Sequence, residues 1–427
     1  MSDKNSEMFN LFALGDKNYK QGNYPEALEY FKKYIQKQPE DALAYNMIGH
    51  LYKKINENEN IDEQIEYFKK AIELKPDFRS AVRNLAFAYY RAEKYIEAIK
   101  TFHKLFELKP FADDYCFYGC IKLKLKDFKE GWKFYEYRFA KKYGRTDYPE
   151  EIDKPLWRGE DIKDKTLLVH FEQGIGDSIQ FVRYLKKVKP LTKKIIFRVQ
   201  NELVKLFKLN FKDIEIIGKS TPIKDLNFDY HIPLLSLMYI LEEDVETIPS
   251  SQGYIKADEK KVKQYKKEFF NNDCLKIGIS YSGMQLGNRK RNIPLRYFYK
   301  LAKLDNVKLY SFQKGFGANQ LEKIPQNIEI INVGQIFKDF SDTAAALENV
   351  DLFVTSDNSV FNLAGAMGRK TFLLLNKDSE WRWFLDEEKT PWYNSVKIFK
   401  KQTEKEDWSV LISKITEEVK KVERNFN

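Results

Sequence analysis

The sequence predicts an array of paired helices followed by two successive α/β units, an α + α/β chain. A spacing of small residue, aromatic and proline recurs through the first third with a period of about 34 residues. From about Lys165 onward, short apolar runs alternate with helical stretches, in one set and then in a second of similar size. No apolar run approaches the roughly 20 residues that a bilayer span needs. At 427 residues and 43% hydrophobic, the chain can bury several separate cores.

The repeats come first. Ala27, Phe31 and Pro39 share one spacing with Gln64, Phe68 and Pro76, and with Ala98, Phe102 and Pro110. Ahead of these stand Gly15 with Tyr19, Gly49 with Tyr52, and Ala86 with Tyr89. The small residue lets two helices approach, the aromatics fill the seam, and the proline ends the second helix. A short insertion falls around Asn56 to Asn60. The pattern resembles the tetratricopeptide repeat and sets a module over residues 8–145. Leu123 to Phe139 reads as an irregular fourth unit, a cap or a junction whose Trp132 and Tyr135 cover the last repeat. Stacked helix pairs present a curved surface to a protein or peptide, or act as a plain spacer. Nothing in the repeats makes a catalytic constellation, and His50 and His103 need no function there.

The strands of the first α/β set are Thr166–Phe171, Lys194–Val199, Ile214–Gly218 and Asp229–Leu234. Asp258 to Asn272 is lysine-rich and helical. The second set is Leu275–Ser282, Lys308–Gln313, Ile328–Asn332, Asp351–Ser356 and Thr371–Asn376. Helical patterns between strands predict parallel sheets with crossovers. The reading is two facing Rossmann-like domains, 160–257 and 272–405, with ligands beyond the carboxyl ends of their strands. A closing helix follows in 406–427, near Asp407 to Glu423, and is expected to fold back on the first of these domains.

Charge and cysteines bound the function classes. The net charge of +10 suits an anionic partner. Its lysines are scattered and carry no interleaved aromatic signature, so a solvated basic surface is expected and nucleic acid is not. Cys116, Cys120 and Cys274 make no paired framework, which predicts a reducing, cytoplasmic compartment. Cys116 and Cys120 lack metal-ligand company and read as packing residues. The N-terminal MSDKNSEMFN has no signal-peptide core.

Three stretches can carry chemistry. In HFEQGIGDSIQF, His170 to Phe181, a dinucleotide fingerprint fails at Ile179, and Asp177 would repel a pyrophosphate. Asp177 instead suits the start of a helix over Ser178–Lys187, capping it and staying ionised there. The same position faces a cleft, where a carboxylate could take a proton from a hydroxyl. In the second stretch, Arg289, Lys290 and Arg291 stand between a glycine turn at Gly283 and Pro294. They suit a diphosphate, or they are a solvated basic loop. In SDNSVFNLAGAMG, Ser356 to Gly368, a helix starts just past a strand, capped by Asp357 or Ser359. Amides of Ser359 and Val360 would point at a phosphate in the cleft.

Together, EQGIGDSIQFVRYL, RKRNIPL and SDNSVFNLAGAMGRKTFLLL with DSEWRWFLDEEKTPWYNSVKIF resemble bacterial tetratricopeptide proteins with a C-terminal glycosyltransferase-like domain. That domain is similar to the lipopolysaccharide heptosyltransferases and, more distantly, to O-linked N-acetylglucosamine transferases. The resemblance implies a GT-B fold and inverting, metal-independent transfer from a nucleotide sugar, with no cofactor. It implies Asp177 as base, beside Gly174 and Gly176, and Arg291 on phosphate. The family's D-T-x-x-x-H-x-A motif maps onto Asp357, Asn358 and Asn362, with asparagine replacing threonine and histidine. Asparagine donates a hydrogen bond but carries no charge, so an inactive, protein-binding scaffold is the alternative function. Met284, Gln285 and Leu286 also depart from the family. Gln173 and His231 fall on the acceptor side by resemblance, and a core role for His231 stays open. His170 reads as buried, and Trp381, Trp383 and Trp392 as packing. The implied partners are a nucleotide sugar and a protein or peptide acceptor presented by the repeats.

Overall fold

The computed structural model describes residues 2–56, 59–139, 152–249, 252–283, 291–385 and 387–424. It divides into two compact units, Met1–Leu123 with Lys133–Ala140, and Lys124–Trp132 with Lys141–Asn427.

The first unit is built from helix pairs. These are α1 (Ser2–Gln21) with α2 (Tyr24–Lys37), α3 (Ala42–Ile55) with α4 (Ile61–Leu74), and α5 (Arg79–Arg91) with α6 (Tyr95–Phe106). Helix α7 (Ala112–Lys124) follows, and α8 (Phe128–Tyr135) starts in the second unit and returns to the first after Trp132. The repeated small residues explain the pairing. A methyl on Gly15 would lie 2.8 Å from the Phe31 ring, and one on Gly49 2.6 Å from the Phe68 ring. Phe31, Phe68 and Phe102 are all buried. Asp41 caps α3 by accepting from the amides of Leu43 and Ala44, and the Tyr34 hydroxyl donates to it as well. Gln64 stands where the other repeats have alanine, and its buried amide accepts from Arg91 Nη2 at 2.7 Å. Phe134 stacks on Phe106 and Tyr115, closing the last pair. Trp132, expected to cover that face, packs in the second unit against Phe128, Phe181 and Trp381.

The second unit starts with β1 (Ile162–His170), α9 (Ile175–Phe181), α10 (Leu185–Val188), β2 (Thr192–Val199), α11 (Val204–Asn210), β3 (Glu215–Gly218), β4 (Tyr230–Pro233) and α12 (Leu237–Ile240). It continues with α13 (Glu259–Phe269), β5 (Leu275–Ser280), α14 (Tyr299–Ala302), β6 (Val307–Ser311), β7 (Ile330–Asn332) and α15 (Phe340–Leu347). Last come β8 (Leu352–Ser356), α16 (Ser359–Ala366), β9 (Thr371–Leu375), β10 (Val396–Lys400) and α17 (Trp408–Arg424). Among the described residues these strands form two sheets, in the orders β3-β2-β1-β4 and β10-β9-β8-β5-β6-β7. Every pairing within them is parallel. All nine expected strands occur close to their expected bounds, and β10 is an addition.

The strand order reverses direction between β1 and β4 in one sheet and between β5 and β8 in the other. Crevices open at such reversals, outside the carboxyl ends of the strands. Gln173 and Gly174 follow β1, Ser282 and Gly283 follow β5, and Asp357 follows β8, so the topology sends the candidate residues to these edges. The closing helix corrects one expectation. Trp408, Leu411, Ile412, Ile415 and Val419 of α17 are buried with Leu275, Ile277 and Phe298, in the core of the second sheet and not the first.

Candidate functional site

Helix α9 starts at Ile175, three residues before the expected start, so Asp177 occupies its third position and Gly174 the cap. Asp177 Oδ2 accepts the Gly174 N–H at 2.9 Å. The carboxylate therefore caps the turn from inside the helix and leaves Oδ1 free for another partner. That partner is Arg382 Nη2, which lies beyond β9 in the second sheet's half of the unit. The pair joins positions 205 residues apart.

Arg382 opens a ladder of alternating charge. Its Nη1 donates to Glu380 Oε2. Glu380 Oε1 accepts from Arg291 Nη2 at 2.9 Å, and Arg291 Nη1 lies 3.9 Å from Asp357 Oδ2. Asp357 Oδ2 also accepts from Trp383 Nε1 at 3.1 Å. Side-chain exposures of 20% for Asp177, 7% for Arg382 and 12% for Glu380 place these charges in a half-dry environment, where a charge-assisted bond is stronger than at an open surface. Arg382 also lies over the Trp381 ring, 4.6 Å from its centroid. Two residues on, Phe384 is buried at φ 53°, a conformation that costs a bulky residue about 1–3 kcal/mol.

The start of α16 meets the same place. Its cap is Asn358, not Asp357 or Ser359: Asn358 Oδ1 accepts from the Phe361 amide at 3.0 Å. Asn358 Nδ2 lies 3.1 Å from both Ser280 Oγ and Thr355 Oγ1. Asn362 accepts from the Tyr393 hydroxyl at 3.0 Å and donates to the Asn358 carbonyl at 3.2 Å. The protein itself thus engages both asparagine side chains. Ser359 and Val360 are the first two residues of α16, and their amides have no acceptor within the helix. Helix α9 crosses close by, since a methyl on Gly176 would lie 2.8 Å from Asn362 Nδ2. Gly283 donates to Asn292 Oδ1 at 3.0 Å. Arg289 and Lys290 lie outside the described residues. A cavity of about 550 Å³ is lined by Ser282, Asn292, Pro294, Phe316, Gly317 and Gln320, and Arg291 is not among its lining residues.

The structure therefore gathers Asp177, Gly176, Arg291, Asp357 and the first turn of α16, and adds Glu380 and Arg382, which the sequence reading passed over. Their only signal was charge alternating with tryptophan in Glu380-Trp-Arg-Trp383. The gathered set does not include the side chain of His231. That ring is buried, with Nδ1 3.3 Å from His170 Nε2 and centroids 5.5 Å apart. Burial, and then the His231 ring, hold the His170 pKa down to about 3; burial also lowers that of His231. Gln173 contributes its carbonyl, which accepts from Gln200 Nε2 at 2.9 Å. Trp381, Trp383 and Trp392 are buried, as expected.

Tetratricopeptide repeat family models match residues 9–41 and 42–78. Over 402 residues the chain is 26% identical to Protein FlbA of Caulobacter vibrioides (strain ATCC 19089 / CIP 103742 / CB 15), a match covering 88% of this chain and 66% of that one. The chain thus spans just under two thirds of that relative's length. Among solved structures, a glycosyl transferase family 9 protein from Veillonella parvula DSM 2008 is 15% identical, covers 63% of this chain and 99% of its own, and superposes with a TM-score of 0.47. MamA is 24% identical over 30% of this chain and 75% of its own, with a TM-score of 0.29. No helix among the described residues is long and apolar enough to cross a membrane.

Proposed function

We propose that the second unit is a glycosyltransferase of the GT-B type, using a nucleotide-sugar donor. One observation carries the reading: Asp177, projected from the carboxyl edge of the first sheet, faces guanidinium groups and a helix start belonging to the second. A carboxylate opposite an anion-binding surface is what transfer from a diphosphate-linked sugar requires. Asp177 takes the proton of an acceptor hydroxyl as its oxygen forms a bond to the anomeric carbon. The bond from that carbon to the diphosphate oxygen breaks, and its electron pair leaves with the nucleotide. Arg291 and the first amides of α16 stabilise the charge that develops there. The cavity of about 550 Å³ lined by Ser282, Asn292 and Gln320 has the volume of a small-molecule pocket and suits the nucleoside. The repeats would present a protein or glycan acceptor, a role that suits their stacked helix pairs.

A second reading, a protein-binding scaffold without turnover, draws on the two asparagines, whose amides are engaged internally where the family has threonine and histidine. A thermal-shift panel of nucleotide sugars, followed by donor hydrolysis with wild type and Asp177→Ala, separates the two. The transferase reading expects donor binding in both proteins and turnover reduced about 100- to 10,000-fold in the variant. Binding with no turnover in either protein supports the scaffold, and no binding of any donor sinks the transferase.

A further inference from the structure

Two guanidinium groups flank the proposed site, and a single carboxylate bridges them. Glu380 gives one oxygen to Arg291 and the other to Arg382. Arg382 in turn holds Asp177. On the transferase reading, we infer that Arg382 is a second diphosphate-binding residue and that Glu380 is an internal counter-ion which the donor's diphosphate displaces.

The argument is one of charge and shape. A carboxylate splitting its oxygens between two guanidinium groups reproduces the grip that the same pair would take on a phosphoryl group. The ladder contains three carboxylates (Asp177, Glu380, Asp357) and two guanidinium groups (Arg291, Arg382), so it carries a net charge of −1. An incoming diphosphate would be repelled by that set unless a carboxylate gave way. Asp357 is held by Trp383 Nε1, and Asp177 by the Gly174 amide. Glu380 is the carboxylate whose two oxygens bridge both arginines, and it sits at the entry of a short turn, Trp381–Trp383. With side-chain exposures of 7% for Arg382 and 24% for Arg291, both cations are partly out of water, and an unpaired cation there is costly. Glu380 meets that need together with Asp177 and Asp357. Transfer of Arg382 to the diphosphate also releases Asp177 Oδ1, so the base is freed only once a donor is in place.

Removing the Glu380 charge separates this role from a structural one, because the two predict opposite signs. Isothermal titration of the full chain with inorganic pyrophosphate, UDP, GDP and ADP would be run on wild type, Glu380→Gln, Glu380→Asp and Arg382→Ala. Glu380→Gln should bind the preferred ligand about tenfold more tightly than wild type, the scale of one like-charge repulsion across a half-wet site. Glu380→Asp, too short to reach both arginines, should fall between them, and it decides the matter if the glutamine variant does not fold. Arg382→Ala should bind at least about tenfold more weakly. Equal or weaker binding by the Glu380 variants, alongside a binding-competent wild type, overturns the counter-ion and leaves the transferase reading standing. Unchanged affinity in Arg382→Ala overturns the second phosphate contact. Failure of wild type and both Glu380 variants to bind any of the four ligands overturns the inference and the transferase reading together.

Discussion

Gly176→Ala is expected to change sign with its background, and that makes it a sharp test of how α9 meets α16. The Gly176 backbone lies outside the left-handed region, so the substitution meets no conformational barrier of its own. Within a helix the exchange should gain roughly 0.5–1 kcal/mol from backbone entropy. Against that, the new methyl would lie 2.8 Å from Asn362 Nδ2 and 3.5 Å from Ser359 Cα. Asn362 is buried and tied to Tyr393 and to the Asn358 carbonyl, so it has little room to move. Overpacking of this kind costs about 1–3 kcal/mol, leaving a net loss of up to about 2.5 kcal/mol. In an Asn362→Ala background the clash is gone, and the same substitution should stabilise by roughly 0.5–1 kcal/mol. All six tryptophans fall in the second unit, so denaturation followed by tryptophan fluorescence reports on that unit. An equal effect of Gly176→Ala in both backgrounds would refute the close approach.

Two further outcomes follow from burial and packing. The folded His170 pKa of about 3 lies below the ordinary 6.5, so the unfolded chain takes up a proton that the folded chain refuses. Its stability contribution is complete above pH 6.5 and is lost as pH falls toward 3, by about 2 kcal/mol at pH 5; His170→Gln should flatten that part of the fluorescence-monitored pH profile, and an unchanged profile would count against it. Gly49→Ala puts a methyl 2.6 Å from the Phe68 ring and should cost the repeat unit about 1–3 kcal/mol in far-UV circular dichroism, with the tryptophan transition unmoved.

Much of the fold was legible because its periods are strong. The small-residue, aromatic and proline spacing fixes helix pairs locally, and buried parallel strands read as apolar runs whatever their order in the sheet. What failed was long-range or fine-grained. An amphipathic final helix shows that it covers an apolar surface, but nothing in its pattern says which of two sheets supplies it. β10 was missed because VKIFK is short and follows a long irregular stretch after β9. The start of α9 was misplaced because Asp177 can cap from the third helical position as readily as from the cap itself. Arg382 and Glu380 escaped for a related reason. In sequence, Glu380 and Arg382 are two charges among tryptophans, and only folding brings them to a carboxylate 205 residues away.

The Asp177–Arg382 contact is reinforced from behind by a buried cation. Arg183 is fully buried, yet its bonds go to carbonyls and a hydroxyl: Gln180 at 2.8 Å, Pro249 at 3.3 Å, Trp392 at 2.8 Å and the Tyr254 hydroxyl at 2.9 Å. The rings of Tyr254 and Tyr393 lie 4.3 and 4.9 Å from the guanidinium carbon and share its charge. Trp392 then donates from Nε1 to the Arg382 carbonyl at 2.9 Å. The path runs from Asp177 along six residues to Arg183, through Trp392 to Arg382, and back to Asp177, so it closes on itself. Each step of such a loop limits the next, which is how a carboxylate on one sheet's helix keeps its distance from a cation on the other's. Tyr393 adds a tie through its hydroxyl to Asn362, the residue that meets Gly176. Asn362 thereby acquires a packing role: it sets the spacing between the starts of α9 and α16.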